Sequence, residues 1–218
     1  SDPAALAETL ARHGREKKKW LVDPRSVPVW FSQTLEKAGA DIIEAPDPCQ
    51  LPKAMKNAIE LQGIKAAHVN DGRAITRLLH WLEGALEKGT VTELDVCEKL
   101  LALRKEVPGF VEPSFPTIAG SGPNGAIVHY RATEKSNRAL QKGELLLLDS
   151  GAQYYGGTTD ITRTIAIGEP QADHKERFTR VLKGHIAIAA ARFPKGTSGS
   201  QLDALARQFL WQAGLDYD

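Results

Sequence analysis

Two aspartates stand where a β-strand pattern would not normally carry a charge. Asp149 follows four consecutive leucines, Leu145 to Leu148, and Asp160 lies between Thr159 and Ile161 in a stretch rich in β-branched residues. Aspartate is depleted from strands, and a buried carboxylate needs a counter-charge, hydrogen bonds or a metal. The run Leu145–Thr164 has the pattern of a hairpin, so the length of its turn decides whether the two carboxylates meet. A two-residue turn on Tyr154-Tyr155 sets them directly opposite, and one on Gly156-Gly157 offsets them by about four residues on the same face. A loop of odd length, or a bulge, breaks that parity. On a shared face the like charges repel unless a cation lies between them. A donor set made only of oxygens suits hard divalent ions such as manganese and magnesium better than copper or a structural zinc.

Other residues with chemical potential surround this pair in sequence. His129, between Val128 and Tyr130, reads either as a histidine tucked under a loop or as a neutral donor facing the carboxylate cavity. His68, near Asn70, Asp71 and Arg73 in a helical pattern, carries the same two readings. Thr162 and Arg163 follow Asp160, and Arg163 is either a structural ion-pair partner or a residue that orients the aspartate. Gly120-Ser121-Gly122-Pro123-Asn124-Gly125 fits G-x-G-x-x-G but is followed by Ala126–Tyr130, which has a strand pattern. A dinucleotide fingerprint has to open a helix, so this one is rejected and its glycines are assigned to a loop beside a site.

The elements that would position these groups follow from periodicity and punctuation. Residues Ala4 to Lys17 read as an amphipathic helix, Trp20–Val22 as a short strand, Val29–Ala38 as a helix after Pro28, and Ile42-Ile43 as a second short strand. This α/β alternation has too few elements for an independent sheet. The proline-rich stretch Ala45–Pro52 reads as a linker. Beyond it Ile75, Leu78, Leu79, Leu82 and Leu86 form a helical apolar stripe, and Thr92 with Asp95 makes a capping box for the next helix. Short β segments fill Phe115–Ile167, a helix spans Asp173–Arg192, and Ser200 with Asp203 caps a last helix to about Ala213.

Bulk composition narrows the classes. The 28 basic and 27 acidic residues give no electrostatic case for nucleic acid or a membrane surface. No apolar run approaches the ~18 residues of a membrane span, and the first residues lack the features of a signal peptide. Cys49 and Cys97 are too few and too far apart for a zinc knuckle or disulfide framework, which fits a cytoplasmic protein with reduced thiols.

The residues also resemble a known family. Asp149-Ser150-Gly151 followed by Gly157-Thr158-Thr159-Asp160-Ile161-Thr162-Arg163-Thr164 is similar to the first metal-binding segment of the Xaa-Pro aminopeptidases (aminopeptidase P), members of the pita-bread metallopeptidases. The likeness extends through Ser121–Tyr130, Ala67–Gly72, Trp81–Glu83 and Phe193–Thr197, and so from about Leu51 onwards. The resemblance implies an α+β fold: residues 49–218 as the N-terminal part of a pita-bread (creatinase/aminopeptidase-like) domain, preceded at 1–48 by the end of a non-catalytic α/β domain. It implies two divalent metals, usually manganese, held in part by Asp149 and Asp160, with His129 contacting substrate or the tetrahedral intermediate. It further implies release of the first residue from proline-containing peptides, and a homodimer at full length. His68 is expected at the substrate, and Thr162 and Arg163 behind the metal ligands. The family's histidine ligand and two glutamates would follow Asp218, so the 218-residue chain is expected to be truncated and inactive by itself. The same metal site in a prolidase, or a metal-free pita-bread binding module, are the alternatives.

Overall fold

A computed structural model of the chain describes residues 5–16 and 18–217. The chain divides into two compact units, Ser1–Leu61 and Gln62–Asp218.

In the first unit two short strands, β1 (Lys19–Val22) and β2 (Asp41–Glu44), pair in parallel, with Lys19 opposite Asp41 and Val22 opposite Glu44. Helices α1 (Leu6–Gly14) and α2 (Val29–Lys37) pack on each other, and a Cβ on Gly14 would stand 2.6 Å from the Cβ of Ala38. Ala4 and Lys17, the expected ends of the first helix, lie outside the described residues. The proline-rich stretch belongs to this unit rather than separating it from the next. The buried Asp23 accepts from the Asp47 amide at 3.1 Å, and the Ala45 amide donates to the Val22 carbonyl at 3.1 Å. A short helix α3 (Gln50–Ala54) follows, and the division between units falls inside α4 (Ala58–Lys88).

The second unit buries its larger apolar core between helices and a sheet, and a smaller cluster of Ala67, Ala152 and Tyr154 lies apart from it. Helix α4 contributes Ile75, Leu78 and Leu82, and α5 (Glu93–Lys105) contributes Val96, Leu100 and Leu103. The capping box expected at the start of α5 is present: the Asp95 amide donates to Thr92 Oγ1 at 3.3 Å, and the Thr92 amide donates to Asp95 Oδ2 at 2.7 Å. Beneath them β4 (Ile118–Ser121), β5 (Leu145–Ser150) and β8 (Ile161–Ala166) form an antiparallel sheet in the order β4-β5-β8. Along β5 the residues alternate, Leu146, Leu148 and Ser150 buried and Leu145, Leu147 and Asp149 half-buried. The leucine run therefore supplies both faces of a strand, and Asp149 falls on the face away from the core. A second small sheet, β3 (Phe110–Pro113), β6 (Ala152–Tyr154) and β7 (Gly157–Thr158), continues the same hairpin to its tip. Helices α6 (Ala172–Ala190) and α7 (Gly199–Trp211) pack on each other.

Two local expectations are corrected. No strand forms over Ala126–Tyr130; a 3-10 turn at Gly122–Ala126 leads into a tight turn, with the Ile127 amide bonded to the Asn124 carbonyl at 3.2 Å and the Tyr130 amide to the Ile127 carbonyl at 3.1 Å. Pro123, Asn124 and the two glycines are turn formers, and they override the β-branched pair that follows. Ile127 and Val128 are accordingly exposed, not packed. At the other end the last helix is capped by Ser198, whose amide donates to Gln201 Oε1 at 2.8 Å, while Asp203 instead pairs with Arg207 at 2.7 Å.

Candidate metal centre

The register of the long hairpin fixes where the two carboxylates stand. Asp149 pairs with Thr162 and Ser150 with Ile161, while beyond the break in the strands Gln153 pairs with Thr158 and Tyr154 with Gly157. The turn is thus the two residues Tyr155 and Gly156, between the two turns considered from sequence. Its length is even, so the parity holds. Asp160 sits two residues before Thr162, in the gap between β7 and β8, diagonal to Asp149 and on the same face. The hairpin tip is held against α4, since a Cβ on Gly63 would collide with the Gly156 carbonyl oxygen and one on Gly157 would stand 2.9 Å from Ile64 Cα.

Asp149 and Asp160 line one cavity of about 420 Å³ together with Phe115, Pro116, Ile118, His129, Tyr130 and Arg131. Within it Asp149 Oδ1 is buried and accepts no hydrogen bond. A solvent-deprived carboxylate oxygen without a donor is costly, and a second carboxylate on the same face adds to that cost. A hard divalent cation removes both penalties at once, so the donor set fits such an ion. Among the described residues no group of three or more His, Cys, Asp and Glu side chains is placed to hold a metal. The pair supplies only part of the six oxygens that manganese or magnesium ordinarily takes.

The remaining sequence candidates divide by face. His129 lines the cavity, at the one non-glycine position with positive φ (54°) among the described residues. Such a backbone is uncommon outside glycine, although histidine, like asparagine and aspartate, adopts it more readily than other residues, and at a cavity wall it aims a ring that a strand would have aimed elsewhere. Thr162 shares the face of the two aspartates as the cross-strand partner of Asp149. Arg163 alternates to the other face, where it lines a separate cavity with Leu79, Leu82 and Leu86, and its Nη1 donates to the Thr162 carbonyl at 2.7 Å. His68 is exposed on α4, its Nδ1 bonded to the Ile64 carbonyl at 2.9 Å, and it does not line the carboxylate cavity.

Two buried carboxylates behind the cavity have no counterpart among the candidates read from sequence. Glu93, fully buried at the start of α5, accepts from the Ser121 amide at 2.7 Å, Asn124 Nδ2 at 3.0 Å and the Tyr130 hydroxyl at 2.8 Å. It ties both ends of the turn that carries His129. Burial, with the neighbouring Glu93 carboxylate acting in the same direction, pushes the Tyr130 phenol above its ordinary pKa and keeps it a donor. Asp71, fully buried on α4, holds Arg104 of α5 in a two-pronged ion pair, Nε to Oδ1 at 2.7 Å and Nη2 to Oδ2 at 2.9 Å. The only signal of Asp71 in the sequence is its place on the apolar stripe, at helical spacing before Ile75, Leu78 and Leu82.

Known proteins resemble this chain over most of its length. A sequence profile described as "Metallopeptidase family M24" matches residues 62–218. A probable Xaa-Pro aminopeptidase P of Paracoccidioides brasiliensis is 47% identical over 217 residues, covering 98% of this chain and 35% of the relative. Aminopeptidase P2 of Arabidopsis thaliana is 50% identical over 171 residues, 78% of this chain and 24% of the relative. Among solved structures, X-prolyl aminopeptidase of Caenorhabditis elegans, described as a cytosolic enzyme with a di-nuclear active site, superposes with a TM-score of 0.85 at 33% identity, covering 99% of this chain and 36% of that one. Xaa-Pro dipeptidase of Bacillus anthracis superposes with a TM-score of 0.75 at 26% identity, covering 96% and 57%. The chain thus spans about a third of the length of the aminopeptidase P relatives it matches.

Proposed function

Because this chain belongs to metallopeptidase family M24 and has the α+β, pita-bread fold of that family, we propose that it is the portion of an Xaa-Pro aminopeptidase that supplies two carboxylate ligands, Asp149 and Asp160, to a pair of divalent ions. The observation that carries the reading is Asp149 Oδ1, buried without a donor in the cavity that Asp160 also lines. The remaining ligands are assigned to the part of the relatives' length that this chain does not span.

The chemistry supplied by two divalent ions, when bound, is a water acidified to near neutrality and an electrophile for the carbonyl preceding proline. The chain's own residues do the rest. Asp149 and Asp160 fix the position of positive charge and are in turn neutralised by it. His129, at the cavity wall, donates a hydrogen bond to the oxygen on which charge develops, an interaction whose loss costs about 3 kcal/mol. Phe115, Pro116 and Ile118 form the apolar side of the cavity. They exclude water and offer a surface for a proline ring, which has no amide hydrogen to satisfy. Manganese as the ion, a cytoplasmic location and a homodimer belong to the same proposal. The location is supported by the description of the nematode structure as a cytosolic enzyme.

The test is peptide hydrolysis by the full-length protein with Mn²⁺. Release of the first residue from Xaa-Pro-Yaa but not from Xaa-Ala-Yaa supports the reading, and absence of proline-dependent release rejects it. A prolidase activity is the second reading, favoured by Arg131 in the same cavity, a fixed cation able to pair with the free carboxylate of an Xaa-Pro dipeptide. Turnover of the dipeptide in preference to the tripeptide would decide for it.

A further inference from the structure

The Asp71–Arg104 pair is an expensive way to fill a core. Both side chains are essentially inaccessible, at 0% and 1% exposure, and an apolar pair of the same volume is generally no less stable. What distinguishes this pair is where its hydrogen bonds go. Asp71 Oδ1 accepts from Tyr154 Oη at 2.9 Å as well as from Arg104, and Oδ2 accepts from Thr159 Oγ1 at 2.7 Å. Two further guanidinium donors reach the Gly151 carbonyl at 3.1 Å and Ser150 Oγ at 3.0 Å. Ser150 and Gly151 directly follow Asp149, and Thr159 directly precedes Asp160. One buried ion pair therefore touches both strands of the hairpin immediately beside the two cavity carboxylates.

Thr159 shows how this contact sets direction. It stands opposite Ala152 by the register of the hairpin and donates its amide to the Ala152 carbonyl at 2.9 Å. An antiparallel pair of this kind returns the bond from the Ala152 amide to the Thr159 carbonyl. Here the Ala152 amide donates instead to Thr159 Oγ1 at 3.0 Å, and the Thr159 carbonyl accepts from Ser114 Oγ at 3.1 Å. The hydroxyl has replaced the carbonyl in the ladder, which turns the peptide linking Thr159 to Asp160. The same hydroxyl spends its proton on Asp71. Gly151 permits the close approach, since a Cβ there would collide with the Thr159 carbonyl and Ser114 Oγ.

We propose that Asp71, Arg104 and Thr159 are positioning residues that hold Asp149 and Asp160 convergent, so that they accept metal without rearrangement. This rests on the metal-centre reading above. The experiment titrates the full-length protein with Mn²⁺ alone, by calorimetry and by the Mn²⁺ electron-paramagnetic signal, for the wild type, Thr159→Val and Thr159→Ser. Valine keeps the shape and removes the hydroxyl; serine restores it. The proposal expects Mn²⁺ affinity to fall by about 10-fold or more in Thr159→Val, the scale on which groups behind metal ligands act, and to recover in Thr159→Ser. A merely structural role would lower the melting temperature of the metal-free protein and leave Mn²⁺ affinity unchanged, and that result overturns the proposal. Should Thr159→Val fail to fold, Tyr154→Phe removes a single hydrogen-bond donor to the same carboxylate; weakened Mn²⁺ binding supports the proposal and unchanged binding overturns it. A wild type that takes up no Mn²⁺ overturns the proposed function and this inference together, whereas a wild type and a variant that bind equally overturn only the inference.

Discussion

Replacing Arg104 by methionine isolates the energetics of the buried pair. The substitution removes two of the four donors on the Asp71 carboxylate, at 2.7 and 2.9 Å, and leaves those of Tyr154 and Thr159. It also strips the Gly151 carbonyl and Ser150 Oγ of their guanidinium donors. Breaking a buried pair by removing one partner costs about 3–5 kcal/mol, and the two surviving donors place this case near the lower end. Ser150 Oγ, left without a partner, adds about 1 kcal/mol, while the Gly151 carbonyl keeps the Ser114 amide at 3.1 Å, so the expected loss is about 4 kcal/mol. Because the full-length protein has more than one unit, a single unfolding transition is not assured. Native-state hydrogen exchange at the amides of β5 and α5 reads the opening free energy of this layer directly. Removing both charges in Asp71→Leu/Arg104→Met should recover part of the loss, since no unpaired ion then remains buried. An Arg104→Met opening free energy within about 1 kcal/mol of the wild type would show that the pair is not holding the layer, and the reasoning from desolvation would be wrong.

The same pair gives the chain an acid limit. Burial works against the Asp71 charge, but the hydrogen bonds from Arg104, Thr159 and Tyr154 outweigh it and hold the carboxyl below its ordinary pKa. A lowered folded-state pKa means that the stabilisation is fully present above the unfolded value of about 3.9 and is lost as pH falls through the folded value. Urea midpoints should therefore drop below about pH 4 with a shallower slope in Asp71→Asn than in the wild type, and equal slopes would contradict the assignment. Cys97 and Cys49 should differ in reactivity. Burial, then the charges of Glu93 and Glu98, push the Cys97 thiol up to about 11, whereas Cys49 is exposed. Brief iodoacetamide treatment at pH 8, followed by peptide mass analysis, should label Cys49 and spare Cys97; comparable labelling would show that Cys97 is not desolvated. With two carboxylates in place and no third metal-holding group near them among the described residues, the isolated 218-residue chain should release nothing from Xaa-Pro-Yaa with Mn²⁺ present, and any turnover would mean that the ligand count is misjudged.

Much of this site was open to reading from single residues and parity. An even turn keeps Asp149 and Asp160 on one face whichever two residues form it, so the convergence survived although the turn is Tyr155-Gly156 and not either pair considered. The capping box at Thr92 was legible because it is a local pattern over four residues. The turn around His129 was misread as a strand because β-branched Ile127 and Val128 carried more weight than the Gly-Pro-Asn-Gly that precedes them. Arg163 looked adjacent to Asp160 in sequence but alternation sends it to the opposite face, where it lines a different cavity. The Asp71 network was beyond reach for a different reason. Its bonds join residues 33, 83 and 88 positions apart, and no local rule pairs a helix carboxylate with a hairpin hydroxyl. An acidic residue on an apolar stripe was the one clue, and it indicated burial without naming a partner.

The most direct test of the central claim is a crystal of the full-length protein soaked in Mn²⁺ and measured at the manganese absorption edge. The account predicts anomalous density at coordination distance from Asp149 Oδ1 and from the Asp160 carboxylate, in the cavity that His129 lines. Carboxylates turned away from each other, each satisfied by protein donors and with no anomalous peak between them, would contradict it.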